Sequence, residues 1–320
     1  MSMKYQSEWH SGLLPPSFTD NTSHFSQIIT PAVLAYAAGD AFGVQFEFAP
    51  RRQQIIHVLE EKEGWPLGGV SDDTLLSLLT IDSLHETNPT KAAERFLVSL
   101  RRDAPKLRGL GPTTRTALGM AVKENERGTI GNTNGAMMRT ALSGLAFSPS
   151  SARLRRQWIA ESARITHSHV TAISCAVLMA AAFSEATESS SLSSEGILEA
   201  MNKEISANNT IPLNIVQAIK RCDQWTPPAE GTSLDPLETL LAVLWSTLGA
   251  KDCADAFSRA CALGGDTDTV AALSGSLFCA WNPTNHGLFS IQWLPQVAWS
   301  EITYVKQAIE LIIKTREIHE

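Results

Sequence analysis

The chain has 320 residues, of which 43% are hydrophobic and 18% are charged, and its formal net charge is −7. This length suffices for one large domain or two ordinary ones, and the composition is that of a soluble globular protein. The acidic balance argues against nucleic-acid binding, and the longest apolar run, Cys175 to Phe183, is too short to span a bilayer. Because the N-terminus lacks an apolar run of signal-peptide length, we expect a cytoplasmic protein without membrane or nucleic-acid partners.

The five cysteines are odd in number and form no Cys-x-x-Cys pair. Most of them lie in apolar segments, where a free cysteine behaves as a small core residue. The pattern therefore predicts reduced thiols rather than a structural zinc site or a disulfide framework. The positions are Cys175, Cys222, Cys253, Cys261 and Cys279.

Residues 1–27 differ from the rest of the chain. They are polar, contain Pro15-Pro16, and carry Trp9, Phe18 and Phe25 without a helical or strand period. A disordered leader and a recognition arm whose aromatic side chains dock on a partner both fit this pattern. We interpret residues 1–27 as an N-terminal extension and residues 28–320 as one domain.

From Thr30 the pattern becomes helical. Thr30-Pro31 is typical of an N-cap and the first helical residue, the apolar run Ala32–Ala38 follows, and Gly39 is a stop signal. Apolar residues then recur at three- and four-residue spacing, without convincing period-two strands, which predicts one all-α domain. The further predicted helices cover 72–86, 90–102, 113–126, 152–165, 169–185, 195–207, 213–223, 236–249, 252–262, 269–280 and 301–318.

Two clusters of acids and hydroxyls stand at predicted helix starts, far apart in the sequence. Ser71-Asp72-Asp73-Thr74 has a structural explanation, because serine caps free N–H groups and acids in the first turn favour the helix dipole. Gly264-Gly265-Asp266-Thr267-Asp268-Thr269 carries more acid than a cap needs, and its glycines indicate a tight bend around a ligand. Together the clusters predict the two halves of one metal site.

The donor types indicate which metals would bind. Carboxylate and hydroxyl oxygens, without histidine or cysteine, suit hard cations such as Mg²⁺ or Mn²⁺. Oxygen donors in two clusters are enough to hold two ions that share a bridging carboxylate or water. Such a pair orients substrate oxygens and lowers the pKa of a trapped water.

Three further segments bear polar groups near glycine. The segment Gly39–Glu47 ends a helix with glycines and delivers Glu47 from a loop. The segment Gly131–Arg139 is a small polar loop before a helix; it is either an ordinary turn or an anion site built from backbone N–H groups. Spacing alone leaves open whether His167 and His169 are surface or site residues.

Together these segments resemble the ADP-ribosylhydrolases of the dinitrogenase-reductase-activating-glycohydrolase type. The resemblance covers about residues 28–318, and its motifs occur in the order of that family. They are Gly-Asp-x-x-Gly-x-x-x-Glu at 39–47, Ser-Asp-Asp-Thr at 71–74, Asn-Gly-Ala-Met-Met-Arg at 134–139, Thr-His at 166–167 and Gly-Gly-Asp-Thr-Asp-Thr at 264–269.

The resemblance implies a compact all-α fold that holds two divalent cations, Mg²⁺ or Mn²⁺. By that analogy the metal ligands are Ser71, Asp72, Asp73, Asp266, Asp268 and Thr269, with serine at a position where the family more often has threonine. The loop of Gly131, Asn132, Thr133, Asn134 and Gly135 would cradle the pyrophosphate and ribose of ADP-ribose, with His167 beside it and Asp72 also contacting substrate. The candidate catalytic carboxylates are Glu47, Asp73 and Asp268.

The implied reaction is glycosidic hydrolysis. A water attacks the anomeric carbon of the distal ribose through an oxocarbenium-like transition state that nearby carboxylates stabilise. The implied substrate is an ADP-ribosylated protein side chain, arginine first, while serine linkages, ADP-ribose conjugates and nucleic-acid adducts stay open. An alternative from the binding-protein class is that residues 1–27 occlude an ADP-ribosyltransferase toxin, so that the chain is an immunity protein by blockade as well as by repair.

Overall fold

The computed structural model describes residues 23–120, 131–188 and 194–319. In these ranges the regular elements are α-helices and short 3₁₀ turns, and the isolated parallel bridge Thr232–Gly265 is the one extended pairing found there. The all-α prediction is therefore confirmed. The helices are α1 (His24–Gly43), α2 (Asp72–Asp82), α3 (Pro89–Asp103), α4 (Pro112–Ala117), α5 (Gly135–Thr140), α6 (Ala152–Arg164), α7 (Val170–Ala186), α8 (Ser194–Ala207), α9 (Leu213–Lys220), α10 (Pro236–Leu248), α11 (Cys253–Leu263), α12 (Thr267–Trp281) and α13 (Val305–Ile318).

The centre of the fold is the packed pair α1 and α12. Every residue of α12 is buried, and α1 is almost continuously buried from Ile28 to its end. Two glycines of α1 make the close packing possible. A Cβ on Gly39 would lie 2.5 Å from the carbonyl oxygen of Ala271, and one on Gly43 would lie 2.4 Å from the Cα of Asp268. The two main chains are therefore in direct contact beside the second acidic cluster.

Helix α1 and the turn after it, His24–Phe46, form the one segment of the described residues that is long and apolar enough to cross a membrane. In this fold 94% of its most apolar window is buried. Its apolar surface is covered by other helices of the bundle, with α12 as its most extensive neighbour.

The observed bounds of α1 show that the predicted start at Thr30 and the predicted stop at Gly39 are both wrong. It begins at His24, capped by the Ser23 hydroxyl, which accepts from the N–H of Ser26, and it continues to Gly43. Pro31 thus lies inside the helix, where it removes one backbone hydrogen bond; burial of the surrounding apolar residues offsets that loss. Gly39 continues the helix because it faces α12.

The first residues of α1 also change the interpretation of the aromatic leader. Phe25 packs against the core, and the buried guanidinium of Arg316 lies 4.7 Å from the centre of its ring. Phe25 is therefore part of the folded body. Trp9 and Phe18 lie outside the described residues, and the division of the chain at residue 28 stays a prediction.

Most other predicted helices are confirmed with small shifts at their ends. Helix α4 ends at Ala117, and residues 121–126 of the predicted 113–126 helix lie outside the described residues. The last helix starts at Val305 rather than at 301, because a separate 3₁₀ turn, Trp299–Glu301, precedes it. All five cysteines lie within the described residues and are free there; four are buried and Cys222 is half-buried, as the core interpretation predicts.

A buried ion cluster ties α6 to α8. Glu204 is buried and its carboxylate contacts two guanidinium groups, accepting from Arg155 at 2.8 Å and from Arg156 Nε. Arg155 also donates to the Ser184 hydroxyl at 2.8 Å. The charges of this cluster are therefore compensated from within the protein.

Candidate active site

The first acidic cluster forms the N-terminus of α2. The hydroxyl of Ser71 accepts from the N–H of Asp73 at 3.0 Å, so Ser71 is the N-cap as its sequence context predicts. Asp72 and Asp73 occupy the first turn and are both buried. One oxygen of Asp73, Oδ2, is buried without a hydrogen-bond partner. Capping therefore explains Ser71 but leaves the two buried acids unexplained.

The carboxylate of Asp40, on α1, holds the N-terminus of α2 in place by hydrogen bonds. Its carboxylate accepts from the N–H of Ser71 at 3.0 and 3.1 Å, from the N–H of Thr74 at 3.0 Å and from the Thr74 hydroxyl at 2.5 Å. Burial raises the pKa of Asp40 to about 6, against these hydrogen bonds, which lower it. Asp40 is thus a positioning residue that ties α2 to the central helix.

The second cluster begins in a glycine turn that leads into α12. Gly264 and Gly265 have φ angles of +70° and +75°, which only glycine adopts without strain, and a Cβ on Gly265 would lie 2.0 Å from the Thr232 carbonyl oxygen. Thr232 pairs with this turn, donating its N–H to Gly264 at 3.0 Å and accepting from the N–H of Asp266 at 3.0 Å. This clamp fixes where Asp266 enters the site.

The two helix starts bring four buried carboxylates together without a compensating cation in the described residues. Burial, followed by the charges of Asp40 and Glu47, raises the pKa of Asp72 to about 8. Burial raises the pKa of Asp266 to about 6, and it raises the pKa values of Asp73 and Asp268 well above the usual range, with mutual repulsion adding to the shift. Such a group of like charges is stable when a cation binds or when protons neutralise it.

The predicted metal ligands therefore lie on two neighbouring helix starts, but their arrangement is not a ready coordination shell. Among the described residues, no set of three or more histidine, cysteine, aspartate or glutamate side chains converges on one point as metal ligands would. Two of the expected donors are hydroxyls, and several oxygens are turned toward backbone amides; Asp268 Oδ1, for example, accepts from the N–H of Thr269 at 2.9 Å. The binuclear site stays a prediction.

Glu47 lies at the outer edge of this acidic group. The 3₁₀ turn Val44–Phe46 follows α1 and carries the chain to Glu47. The Lys62 ammonium donates to Glu47 Oε2 at 3.1 Å and to the Val44 carbonyl oxygen at 2.6 Å, which fixes the carboxylate beside the turn. Because the charge of Glu47 contributes to the raised pKa values of Asp72 and Asp266, its carboxylate is electrostatically part of the site.

Gly109 and Trp65 form a wall next to Asp72. A Cβ on Gly109, whose φ is +84°, would lie 2.8 Å from Asp72 Oδ1 and 3.6 Å from the Trp65 ring. The Arg108 guanidinium lies 5.4 Å from the centre of the same ring and pairs with Glu301. The loops before α2 and before α4 therefore meet at this side of the acidic group.

His167 lies in a directional chain of hydrogen bonds. The buried Arg139 guanidinium donates to the Thr166 hydroxyl at 3.0 Å, and that hydroxyl is 2.8 Å from His167 Nδ1. His167 Nε2 is 2.9 Å from the Thr133 hydroxyl, which donates to Thr113 at 3.0 Å. The arginine can only donate, so the chain assigns the ring proton to Nε2. Burial, and then the charge of Arg139, lowers the pKa of His167 to about 3, so the ring is neutral.

The 131–135 loop lies against His167, and two of its glycines are required there. A Cβ on Gly131, whose φ is +66°, would lie 2.7 Å from the Ser168 nitrogen, and one on Gly135 would lie 2.9 Å from the His167 ring. Asn132 is exposed. Asn134 is buried, and its side-chain amide donates to Asp266 Oδ2 and to the Thr239 hydroxyl. In this structure Asn134 positions the second acidic cluster, and the contact of the loop with substrate stays a prediction.

His169, the other histidine that spacing left open, is the N-cap of α7. Its Nδ1 accepts from the N–H of Thr171 at 3.3 Å. Sequence reasoning also did not single out Asp40, Arg139 and Thr232 as positioning residues. A carboxylate inside an apolar helix was a usable signal for Asp40, whereas nothing near Thr232 in the sequence points to the glycine turn.

A profile of the ADP-ribosylglycohydrolase family matches residues 21–315. The chain belongs to this family. It is 27% identical over 311 residues to the ADP-ribosylarginine hydrolase Tri1 of Pseudomonas putida (strain GB-1). The aligned region covers 90% of this chain and 79% of that protein. The chain is also 27% identical over 266 residues to an uncharacterised protein of Archaeoglobus fulgidus, covering 77% of this chain and 84% of that one.

A solved structure described as an ADP-ribosylglycohydrolase-related protein complex has the same fold. The match has a TM-score of 0.69 and 24% sequence identity, and it covers 93% of this chain and 99% of the other. The fold of this ADP-ribosylglycohydrolase family member is therefore that of the solved relative. Because the family is one of glycohydrolases, membership supports hydrolase activity for this chain.

Proposed function

We propose that this family member is a metal-dependent hydrolase that releases ADP-ribose from modified protein side chains, with arginine as the first linkage. The observation that carries the proposal is the pair of acidic helix starts, whose four buried carboxylates influence one another's pKa values and have no compensating cation in the described residues. The similarity to a protein named ADP-ribosylarginine hydrolase supports the choice of arginine.

The donor types of the expected ligands suit a pair of divalent cations, although in the described residues these side chains do not form a ready coordination shell. All six expected donors, namely Ser71, Asp72, Asp73, Asp266, Asp268 and Thr269, are oxygen donors on buried side chains, and oxygen is what Mg²⁺ and Mn²⁺ prefer. Asp73 Oδ2 is buried without a partner, which is costly unless a ligand satisfies it. When bound, such cations would orient substrate oxygens and lower the pKa of a water.

The protein itself contributes positioning and a carboxylate at the rim. Lys62 orients Glu47, whose side chain is 18% exposed and so can meet a substrate from the solvent side. His167 is neutral and hydrogen-bonded on both nitrogens, so it positions Thr133 and does not supply a proton. The choice of general base among Glu47, Asp73 and Asp268 stays open.

Release of ADP-ribose from arginine-ADP-ribosylated protein tests the proposal. We expect release with Mg²⁺ or Mn²⁺ and none after EDTA treatment, with activity restored when the cation is returned. Release from serine-linked substrate alone would correct the linkage and keep the reaction. Absence of release from both substrates, in a protein whose folding is verified by circular dichroism, would contradict the proposed release of ADP-ribose from protein side chains.

The alternative function, blockade of an ADP-ribosyltransferase by residues 1–27, stays a prediction. Removing residues 1–22 tests it and leaves α1 and its Ser23 cap in place. If the arm acts, the truncated protein binds a transferase less tightly but hydrolyses substrate at the same rate. Unchanged affinity would exclude a binding role for this segment.

A further inference from the structure

The segment that follows Glu47 has an unusual backbone. Phe48 has a φ of +59° and is the one non-glycine residue of the described chain with a positive φ. A bulky residue in the left-handed region is strained, and the Phe48 side chain does not recover the cost by packing, because the residue is 72% exposed. An exposed aromatic side chain held in a strained conformation indicates a role outside the folding of the domain.

Backbone hydrogen bonds hold the Phe48–Arg52 segment against the glycine turn of the site. The N–H of Phe48 donates to the Gly265 carbonyl at 2.7 Å, and the Ala49 carbonyl accepts from the N–H of Gly265 at 3.0 Å. Further along, the N–H of Arg52 donates to the Ala262 carbonyl at 3.0 Å. The segment is thus fixed beside the residues that lead into Asp266.

Next to this segment lies a cleft of about 530 Å³. Its lining consists of Arg51, Arg52, Gln53, Trp245, Ala262 and Leu263. Both arginines are exposed, and no ion pair of the described residues includes either of them. The Arg52 guanidinium is braced 5.2 Å from the centre of the Phe46 ring. The Arg259 guanidinium lies 4.2 Å from the ring of Trp245, one of the lining residues, and brings a third positive charge close to the cleft.

We propose that Phe48, Arg51, Arg52 and the Trp245 cleft form the docking surface for the target polypeptide, and that they select acidic residues flanking the modified side chain. The inference rests on the proposed function and adds a recognition rule to it. Exposed arginines that belong to no ion pair of the described residues, in one cleft with the Trp245 side chain, complement carboxylates on an extended peptide, and they do so on a chain whose net charge is −7. Phe48 is the apolar anchor closest to Glu47, and exposed aromatic residues commonly carry binding energy at interfaces.

Two synthetic peptides test the surface, each with one ADP-ribosylated arginine flanked by either aspartates or lysines, together with free ADP-ribosylarginine. We expect the wild-type protein to prefer the acidic peptide in kcat/KM by about tenfold, mainly through KM, as electrostatic complementarity predicts. In the R51A/R52A variant the preference should disappear, while hydrolysis of free ADP-ribosylarginine stays within about twofold because salt screens exposed charges. A preference that survives in the variant, or an equal loss on the free compound, would overturn the proposal.

The matched control is R153A/R221A, which removes two exposed arginines that lie outside the proposed docking surface. Arg153 lies at the start of α6 and Arg221 at the end of α9. Neither belongs to an ion pair of the described residues. The control should keep the preference for the acidic peptide. If it loses the preference as R51A/R52A does, the effect comes from net charge and the proposed surface is wrong.

A binding measurement separates failure of this inference from failure of the hydrolase. An unmodified acidic peptide labelled with fluorescein should bind the wild-type protein, with anisotropy falling as salt is raised, and should not bind R51A/R52A. This readout needs no turnover. Equal binding by both proteins would overturn the surface even if hydrolysis is observed.

Phe48→Gly tests the strain argument. Glycine adopts the left-handed region freely, so we expect Tm to rise by about 1–2 °C after allowing for the greater entropy of the unfolded chain. Hydrolysis of the acidic peptide should fall by about fivefold, which is typical for loss of one aromatic contact. Phe289→Ala, at another exposed aromatic position beside the far end of α11, should leave hydrolysis unchanged. Unchanged hydrolysis of the acidic peptide would exclude the docking role of Phe48, and a lower Tm would contradict the strain argument.

Discussion

Two regions of the molecule bury charge in opposite ways. Between α6 and α8, one carboxylate is buried with two guanidinium groups, so that the Glu204 charge is compensated. At the starts of α2 and α12, four aspartates are buried with one another. The charge of Asp266 raises the pKa values of Asp72, Asp73 and Asp268. Internally paired buried charge of this kind serves the architecture, whereas a buried group of charges of one sign favours a binding site for a cation.

The largest expected effect is on turnover. Asp268→Asn removes one charge of the acidic group without removing volume, so ADP-ribose release should fall by at least about 10³-fold. The fold should persist, with an equal or higher Tm in EDTA, because repulsion is relieved. Asp223→Asn, at an exposed position, is the control and should retain wild-type turnover. Substantial turnover by Asp268→Asn would contradict a functional role for the acidic group and leave no functional difference between it and the Glu204 cluster.

The opposite behaviour is expected at the paired cluster. Glu204→Gln leaves Arg155 and Arg156 buried or half-buried without their carboxylate, which should lower the free energy of unfolding by about 3 kcal/mol. Turnover per folded molecule should not change. Chemical denaturation and active-site-normalised kinetics measure the two quantities. A fall in specific activity with unchanged stability would contradict the structural assignment of this cluster.

A divalent cation should stabilise the acidic region. At a concentration about 100-fold above its Kd, Mg²⁺ or Mn²⁺ should add roughly 2.7 kcal/mol to the free energy of unfolding. Thermal melts with and without EDTA measure the shift. Asp268→Asn should lose most of it and Glu204→Gln should keep it. A Tm that does not respond to either cation would count against a metal site.

The pH dependence of stability should differ with and without metal. Burial raises the pKa values of Asp40 and Asp266 from 3.8 to about 6 and that of Asp72 to about 8. A carboxyl group with a raised pKa stabilises the folded state fully below its unfolded value, and this contribution is lost as the pH rises through the folded value. In EDTA, Tm should therefore fall by several degrees between about pH 4.5 and pH 8.

With Mg²⁺ the trend should weaken or reverse, because the metal binds the deprotonated carboxylates. The same melts repeated in saturating Mg²⁺ measure this difference. A metal-free protein whose Tm rises steadily over this pH interval would show that the aspartates are ionised and compensated in the fold.

The smallest effect is expected at the hydrogen bond between Thr74 and the positioning residue Asp40. Thr74→Val keeps the side-chain shape but removes a hydroxyl donor to the buried Asp40 carboxylate, which should cost about 1.5 kcal/mol of stability. Thr90→Val, at an exposed position on α3, is the matched control. Equal stability of the two variants would mean that the backbone N–H groups of Ser71 and Thr74 suffice to hold Asp40.

The sequence predicted those features that depend on local chemistry. Ser71 is an N-cap because serine satisfies free N–H groups at a helix start, and the Gly264–Gly265 bend exists because two left-handed residues are needed in succession. Both acidic clusters were recognised from their acid and hydroxyl content, and the family resemblance then supplied the expected set of metal ligands. The start of α1 was predicted wrongly because Thr30-Pro31 imitates a helix start, while the actual cap, Ser23, precedes a segment with little helical pattern.

Features that join distant residues were beyond the reach of sequence patterns. Gly39 has the local character of a helix stop, but its function is to let α12 approach, and α12 is more than two hundred residues away. The segment around Asn134 has the local pattern of a phosphate-binding loop, yet the side-chain amide of Asn134 donates hydrogen bonds to Asp266 and Thr239. In each case the partner that fixes the role is supplied by the tertiary fold.

The contact of Gly39 and Gly43 with α12 has a consequence for how this enzyme family can diversify. Asp40 lies between Gly39 and Gly43 on α1, and Asp268 lies where Gly43 contacts α12, so the direct contact of the two main chains helps to set the distance between these acids. We expect the exposed side chains of the rim, Phe48 and residues 51–53, to tolerate change without altering this contact, whereas Gly131, Asn134 and Gly135 should not, because they lie against His167 or bind Asp266. A library that varies the rim and keeps the two glycines is the natural starting point for redirecting such a protein to a new target.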